Sequence, residues 1–558
     1  MLRWFPFLAW PRPDAALWRS EASAGVTVAL IMVPQAVAYA ALAGMPLVTG
    51  LYAALVPALI GVLWGASTRL SVGPTALTCL LVAASLSGLA VPGSPQWVAL
   101  AAWLALLSGA LQLVLGIGRY GWLLNLISSP VLTGFTQAAG LLIIASQLPA
   151  MLGLSGGLAT LFDHPRIDPR ATAFGFASLG LLVLARRLWP RLPMIVLVVA
   201  GSALLAWALD FAERGGAVIG ALPAGLPAPY WPGWPGWSTL GELLVPAMVI
   251  ALVSFLETAS SARVENQREG KRWDDNQDLI GQGLAKIASA LSGSFPTSAS
   301  FSRSALNLYA GARTGWATVL MVACVLLSLL LLTPALFHVP RAVLAAVVVA
   351  AVMGLVQPAA FRRLWRVSRV EAVTTGVTFA VTLATAPRIH WGVLAGVLMG
   401  LSHFLHQRLH PRIIEVGLHP DGSLRDRHLW KLPVLAPRLY ALRMDAELDF
   451  AAASGFERAI VEHLAAHPEV RHVCLFAQPI NRIDATGVET FGQMRRQLDA
   501  RGITLHVSGI KLPVETVLRQ AGELPDSPHL RLYRTDADAL AALAQLDELP
   551  ADIAAAAI

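Results

Sequence analysis

The chain has 558 residues, of which 56% are hydrophobic and only 13% charged. A soluble globular protein carries about 25% charge, so this composition excludes one and points to a polytopic membrane protein. The net charge of +7 requires no nucleic-acid partner, because basic residues concentrate in cytoplasmic loops of membrane proteins. Three scattered cysteines, Cys79, Cys324 and Cys474, give neither a disulfide framework nor metal-ligand spacing.

Charge is sparse over residues 20–407 and ordinary over 408–558, which sets the main boundary near His406–Ile413. The start, 1–20, lacks a short apolar core followed by a small-residue cleavage site and is read as a cytoplasmic segment, not a signal peptide. The transmembrane domain is placed at 21–407, a linker at 408–436, a soluble domain at 437–535 and a tail at 536–558.

About 14 spans follow in order. Seven lie near 23–42, 49–66, 74–90, 97–117, 130–152, 172–188 and 193–210. After a loop whose Trp231, Trp234 and Trp237 suit interfacial anchoring come 243–262, 279–293, 300–309, 316–335, 340–357, 369–386 and 390–407. With the amino terminus inside, cytoplasmic segments gather Arg186, Arg187 and Arg191, then Arg263, Lys271 and Arg272, then Arg362, Arg363, Arg366 and Arg369. The outer loops hold only Arg166, Arg170, Arg214, Arg341 and Arg388. That bias places both termini in the cytoplasm.

Seven is odd, so the second half, 243–407, is expected upside down relative to the first, 21–210. Each half carries an interrupted segment in third place: Leu70-Ser-Val-Gly-Pro-Thr-Ala-Leu-Thr and Phe295-Pro-Thr-Ser-Ala-Ser-Phe-Ser-Arg. Paired Gly/Pro breaks of this kind point to a transporter site between inverted repeats. Pro296 stops a continuous helix, and Thr297, Ser298 or Ser300 can cap one that restarts near Phe301. Two half-helix amino ends then meet at Thr75–Ala76 and Phe301–Arg303, an arrangement that selects anions. The plainer alternative is a polar re-entrant loop that merely packs.

The soluble part alternates strand-like and helix-like stretches: strands at Leu439–Met444, Val473–Phe476 and Leu505–Val507, helices at 450–466, 487–500 and 513–521. That pattern predicts an α/β sandwich with a mostly parallel sheet.

Several motifs together carry a family resemblance. Val33-Pro-Gln-Ala-Val-Ala-Tyr-Ala-Ala-Leu-Ala-Gly-Met-Pro, then Gly50-Leu-Tyr, resembles the opening signature of SulP-type anion transporters, the sulfate-permease-like group called solute carrier family 26 in animals. Ser71-Val-Gly-Pro, Phe255-Leu-Glu, Asn276-Gln-Asp-Leu-Ile, Phe301-Ser-Arg-Ser-Ala-Leu-Asn and Gly311-Ala-Arg-Thr fit in the same order. Asn481-Arg-Ile-Asp-Ala-Thr-Gly-Val-Glu resembles the phosphate-site loop of STAS domains, with Asp484-Ala-Thr-Gly in place of their usual Asp-Ser-Ser-Gly.

The resemblance implies a core domain of spans 1–4 and 8–11 moving against a gate of spans 5–7 and 12–14. It implies an anion site formed by Gln35 and Tyr39 of span 1, Thr75 and Ala76 of span 3, and Phe301, Ser302 and Arg303 of span 10. Glu257 and Ser261, four apart on span 8, share a helix face and are the expected coupling-ion pair. The resemblance implies that a carboxylate at the Glu257 position helps bind a sodium ion in some bacterial members, and protonation of Glu257 is the coupling step expected here. Other roles stay open at this stage: Tyr39 as a core aromatic, Gln35 as a bridge between backbone groups, and Glu257 as a structural partner of Arg303 or Lys286. Lys286 departs from the family pattern and either faces inward or snorkels to the cytoplasmic edge. Asp484 and Thr486 either form a phosphate site or only cap a helix.

The resulting reading is a secondary anion transporter of a bacterial inner membrane, with homodimers, a STAS-binding cytoplasmic protein, the lipid bilayer and an anion as partners, and without cofactor or metal. Sulfate, bicarbonate, chloride and dicarboxylates all fit it, with proton-coupled symport as the favoured coupling. Alternatives are a nucleobase–cation symporter of the same fold, an anion sensor signalling through STAS, and an uncoupled conductor. No Walker A, Gly-x-Ser-x-Gly or His-Glu-x-x-His motif suggests an enzyme.

Overall fold

The computed structural model describes residues 5–126, 128–154, 167–188 and 192–544. Arg166, Arg191 and the end of the tail, 545–558, lie outside the described residues. The chain forms two compact units, residues 1–400 and 401–558.

The first unit is helical. Its helices are α1 (Ala15–Leu42), α2 (Val48–Ala53), α3 (Val56–Trp64), α4 (Ala76–Leu86), α5 (Pro95–Ile117), α6 (Ser129–Met151), α7 (Pro169–Leu188) and α8 (Met194–Ala208). They continue with α9 (Trp237–Glu269), α10 (Asp275–Leu291), α11 (Phe301–Tyr309), α12 (Trp316–Leu327), α13 (Arg341–Val352), α14 (Pro358–Val367), α15 (Arg369–Ala384) and α16 (His390–Leu409). Every apolar segment expected from the sequence falls on one or more of these helices. Six helices are long and apolar enough to cross a membrane, and shorter apolar ones lie among them. The expected span 49–66 is broken between α2 and α3, with Pro57 in the first turn of the second piece. α14 was not expected as an element; it carries Arg362, Arg363 and Arg366 between two spans.

Two short strands, β1 (Val72–Gly73) and β2 (Ser298–Ala299), pair antiparallel with Val72 opposite Ala299 and Gly73 opposite Ser298. Each leads directly into a half-helix: Thr75 is the N-cap of α4 and Ser300 that of α11. Close approach of small residues packs the helices around this crossing. Gly109 of α5 and Gly283 of α10 face one another so closely that a Cβ on either would lie 2.8 Å from the other's carbonyl oxygen. Buried carboxylates pin the loops. Asp278 accepts from Ala66 N, Ser67 N, Ser67 Oγ and Trp273 Nε1 at 2.6–3.0 Å. Glu21, fully buried, accepts from Arg313 N and Thr314 N at 3.0 and 2.9 Å.

The second unit contains a six-stranded sheet of order β4-β3-β5-β6-β7-β8. Its strands are β3 (Ile413–Leu418), β4 (Leu424–Asp426), β5 (Leu439–Met444), β6 (His472–Phe476), β7 (Thr504–Ser508) and β8 (Leu530–Tyr533). β5 to β8 run parallel, and β3 is antiparallel to both neighbours. Helices α18 (Ala453–Ala466), α19 (Ala485–Ala500) and α20 (Leu512–Gln520) contribute Phe456, Phe491 and Leu518 to the core on one face. The short α17 (Arg427–Trp430) follows β4.

Two expectations need correction. Residues 408–436 are not a plain linker, because β3 and β4 extend the sheet; alternating burial of Ile414 and Val416 supplies the reason. The tail begins with α21 (Asp536–Ala544), whose Leu540 and Leu543 bury against Cys474 and Phe476 on the other face of the sheet.

Two outcomes follow from this packing. Gly283→Ala, which drives a methyl group into the α5 backbone, should cost about 1–3 kcal/mol and lower the unfolding temperature of the purified protein. In the sheet, His506 is fully buried between His472 Nδ1 at 3.1 Å and the Tyr533 hydroxyl at 3.0 Å. Burial, then the nearby His472 and Arg531, pushes the His506 imidazole down to about 4. An unfolded histidine takes up a proton near pH 6.5. Stability of this unit is therefore full above that value, falls as pH drops towards 4, and levels off below. The urea midpoint of residues 401–558 by pulse proteolysis should be lower at pH 5 than at pH 7.5, and His506→Asn should shrink the difference.

Candidate functional site

The site is built where the two broken segments cross. Their backbones satisfy one another through the β1–β2 pair and through Ser300 N donating to Ser71 O at 3.0 Å. Ser71 N donates to Ser304 Oγ at 2.9 Å, and Asn307 Nδ2 to Arg69 O at 2.9 Å. Broken backbone at membrane depth is sustained only with such partners.

Arg303, third residue of α11, is 2% exposed. Its Nη2 donates to Pro74 O at 2.9 Å, its Nε to Ser71 Oγ at 3.3 Å and its Nη1 to Gln35 Oε1 at 3.4 Å. Three acceptors from α1 and the β1 segment thus fix the guanidinium, and two of its five N–H donors remain. Gln35 is therefore a partner of Arg303, not a bridge between backbone groups. Beside it lies a cavity of about 270 Å³ lined by Gln35, Ser302, Arg303 and Arg186, with apolar side chains of α1, α7, α8, α11 and α13 and of Leu192 and Pro193 before α8 making up the rest.

The other expected site residues are distributed differently. Tyr39 is buried in the main apolar cluster and does not line this cavity. Thr75 and Ala76 are buried at the start of α4, outside the cavity lining. Phe301 is half exposed and also outside the lining. Among the candidate caps, Ser300 takes the role, accepting from Arg303 N at 3.5 Å, while Ser298 Oγ donates to Ser254 O at 2.9 Å.

Glu257 on α9 reaches the same crossing from behind, where Thr75 Oγ1 donates to its Oε2 at 3.0 Å. Among the described residues it forms no ion pair within 4 Å with Arg303 or Lys286. Ser261 shares its helix face, but its hydroxyl donates to the Glu257 backbone carbonyl at 3.1 Å. Lys286 does not snorkel. It is fully buried on α10, and its Nζ donates to Gln112 Oε1 at 2.9 Å. Gln112 Nε2 in turn donates to Ala251 O and Ser254 Oγ on α9 at 2.7 and 3.1 Å.

In the soluble unit Asp484 caps α19, accepting from Gly487 N at 2.8 Å and from Phe450 N at 2.9 Å. Thr486 is exposed in the first turn of that helix. Arg186 was the main residue missed: the sequence counted it among the loop cations, and only folding brings it to the cavity wall.

The sulfate permease family model matches residues 19–378, and the STAS domain model residues 434–539. A probable sulfate transporter of Mycobacterium tuberculosis is 32% identical over 93% of this chain and 94% of its own length. A sodium-independent sulfate anion transporter of Bos taurus is 30% identical over 93% and 88%. Among solved structures, murine solute carrier 26 family member A9 in its inward-facing state superposes with a TM-score of 0.85 at 20% identity, covering 94% of this chain and 92% of that one. The transmembrane domain of the cyanobacterial bicarbonate transporter BicA gives 0.60 at 20% identity, over 70% of this chain and 99% of that one. The first of these shares the fold through both units. This chain is a multi-pass membrane protein that belongs to the sulfate permease family and carries a carboxy-terminal STAS domain.

Proposed function

We propose that the protein is a secondary transporter of small anions that works by alternating access. The anion binds at Arg303, with Gln35 and Ser302 beside it and the start of α4 at Thr75–Ala76 behind. The observation that carries this reading is a buried guanidinium at the start of a half-helix, opening onto a cavity with no acidic lining residue among those described. A cation and a helix amino end in a site of low polarity favour negative charge together.

In this reading α1–α5 and α9–α12 form a core and α6–α8, α13, α15 and α16 a gate. The cavity takes walls from both groups, as a site between moving parts requires. The relatives named for sulfate support an oxyanion substrate. Glu257 carries the coupling proton in this reading, supported by its hydrogen bond from the Thr75 hydroxyl at the start of α4, with Ser261 on the same face. Lys286, buried and bound to Gln112, whose amide is held by α9, argues against a sodium site on that helix, because a basic side chain turned inward beside it competes with a bound cation. A bacterial inner membrane, cytoplasmic termini and a homodimer complete the proposal. Asp484 and Thr486 remain a candidate regulatory loop, with capping as the role that Asp484 visibly performs.

In proteoliposomes, Arg303→Gln should lower sulfate uptake by about tenfold or more, because hydrogen bonds to a charged group are worth about 1.5–3 kcal/mol. Undiminished uptake would remove Arg303 from the site. Glu257→Gln keeps an acceptor for Thr75 but cannot titrate. Its uptake should lose the stimulation by an inward proton gradient, and an unchanged pH profile would refute the coupling role.

A further inference from the structure

We propose that Arg186 is a specificity-determining residue that senses the second negative charge of the bound anion from the cavity that Arg303 also lines. This rests on the transport reading above and deepens it. Arg186 is on the last turn of α7 and lines the same cavity as Arg303, which is on α11. Among the described residues these two are the only charged side chains on that lining, and both are cations.

Their surroundings differ. Arg303 is buried and held by Ser71, Gln35 and Pro74. Arg186 is exposed and has no ion pair or hydrogen bond with another described residue. It is also the only polar group that α7, α8 and α13 present to the cavity; their other contributions include Leu182, Met194 and Ala350. The core side can therefore bind an anion through Arg303 and Ser302, while among the described residues the gate side answers only through Arg186.

A singly charged anion on Arg303 leaves Arg186 without a counter-charge. A doubly charged oxyanion or dicarboxylate satisfies both guanidiniums, each able to bind it through paired N–H donors. A contact from each of α7 and α11 to one anion ties the two helices together, so a dianion favours whichever arrangement lets both guanidiniums reach it.

The test compares uptake of labelled sulfate, fumarate and chloride by wild type, Arg186→Gln, Arg186→Lys and Arg187→Gln in proteoliposomes. Arg187 is the exposed neighbour that does not line the cavity. Arg186→Gln should raise the KM of whichever dianion is transported by about tenfold, the size of one lost charge-assisted contact. The chloride KM should stay within about twofold, since a monoanion is already balanced by Arg303. Arg186→Lys should recover most of the dianion preference, which a purely structural role would not predict. Equal shifts for monoanion and dianion, or the same shift in Arg187→Gln, would show only a general surface potential and overturn the inference. Wild type that takes up no anion would overturn the transport reading itself, whereas normal wild-type uptake with an unchanged ratio in Arg186→Gln overturns only this one.

Discussion

A four-residue antiparallel pairing, Val72–Gly73 against Ser298–Ala299, holds the membrane unit together where its two broken segments cross. Both segments stop being helical there, and each would otherwise present unpaired amides and carbonyls to an apolar surrounding. Pairing the two breaks with one another solves both problems at once. It also fixes where α4 and α11 begin, and so where Thr75 and Arg303 sit. The Arg303 guanidinium then closes the assembly, because its bond to Pro74 O takes up a carbonyl next to the β1 turn.

Charge within the unit follows a consistent pattern. Glu21 and Asp278 are deeply buried yet surrounded by backbone N–H and hydroxyl donors, so they organise loops. Lys286 is given a neutral acceptor, Gln112, whose own amide is anchored to α9. Arg303 is likewise satisfied by neutral oxygens. A cation bound by neutral groups keeps its full charge for a ligand, which an ion pair would cancel. That distinction separates Arg303 from the loop-organising carboxylates elsewhere in the same unit.

The soluble unit uses different physics. Its parallel strands β5–β8 bury both faces, one under α18–α20 and the other under α21 with β3 and β4 extending the edge. The strand and helix order was legible because parallel strands are continuous apolar runs between amphipathic helices. The edge strands and α21 were not, since charged residues such as Glu415, Arg425 and Asp538 give those stretches the polarity of a linker and a tail.

For this protein the sequence alone determined the apolar segments and their order, the paired Gly/Pro breaks and the α/β character of the soluble end. Each of these depends on local composition, which the bilayer and the backbone read directly. Tertiary structure decided which side chains meet. It turned Gln35 onto Arg303, left Tyr39, Thr75 and Ala76 off the cavity wall, buried Lys286 on Gln112, and brought Arg186 to the cavity that Arg303 lines. Those outcomes depend on helix rotation and on contacts between residues more than a hundred positions apart, and no local pattern encodes them.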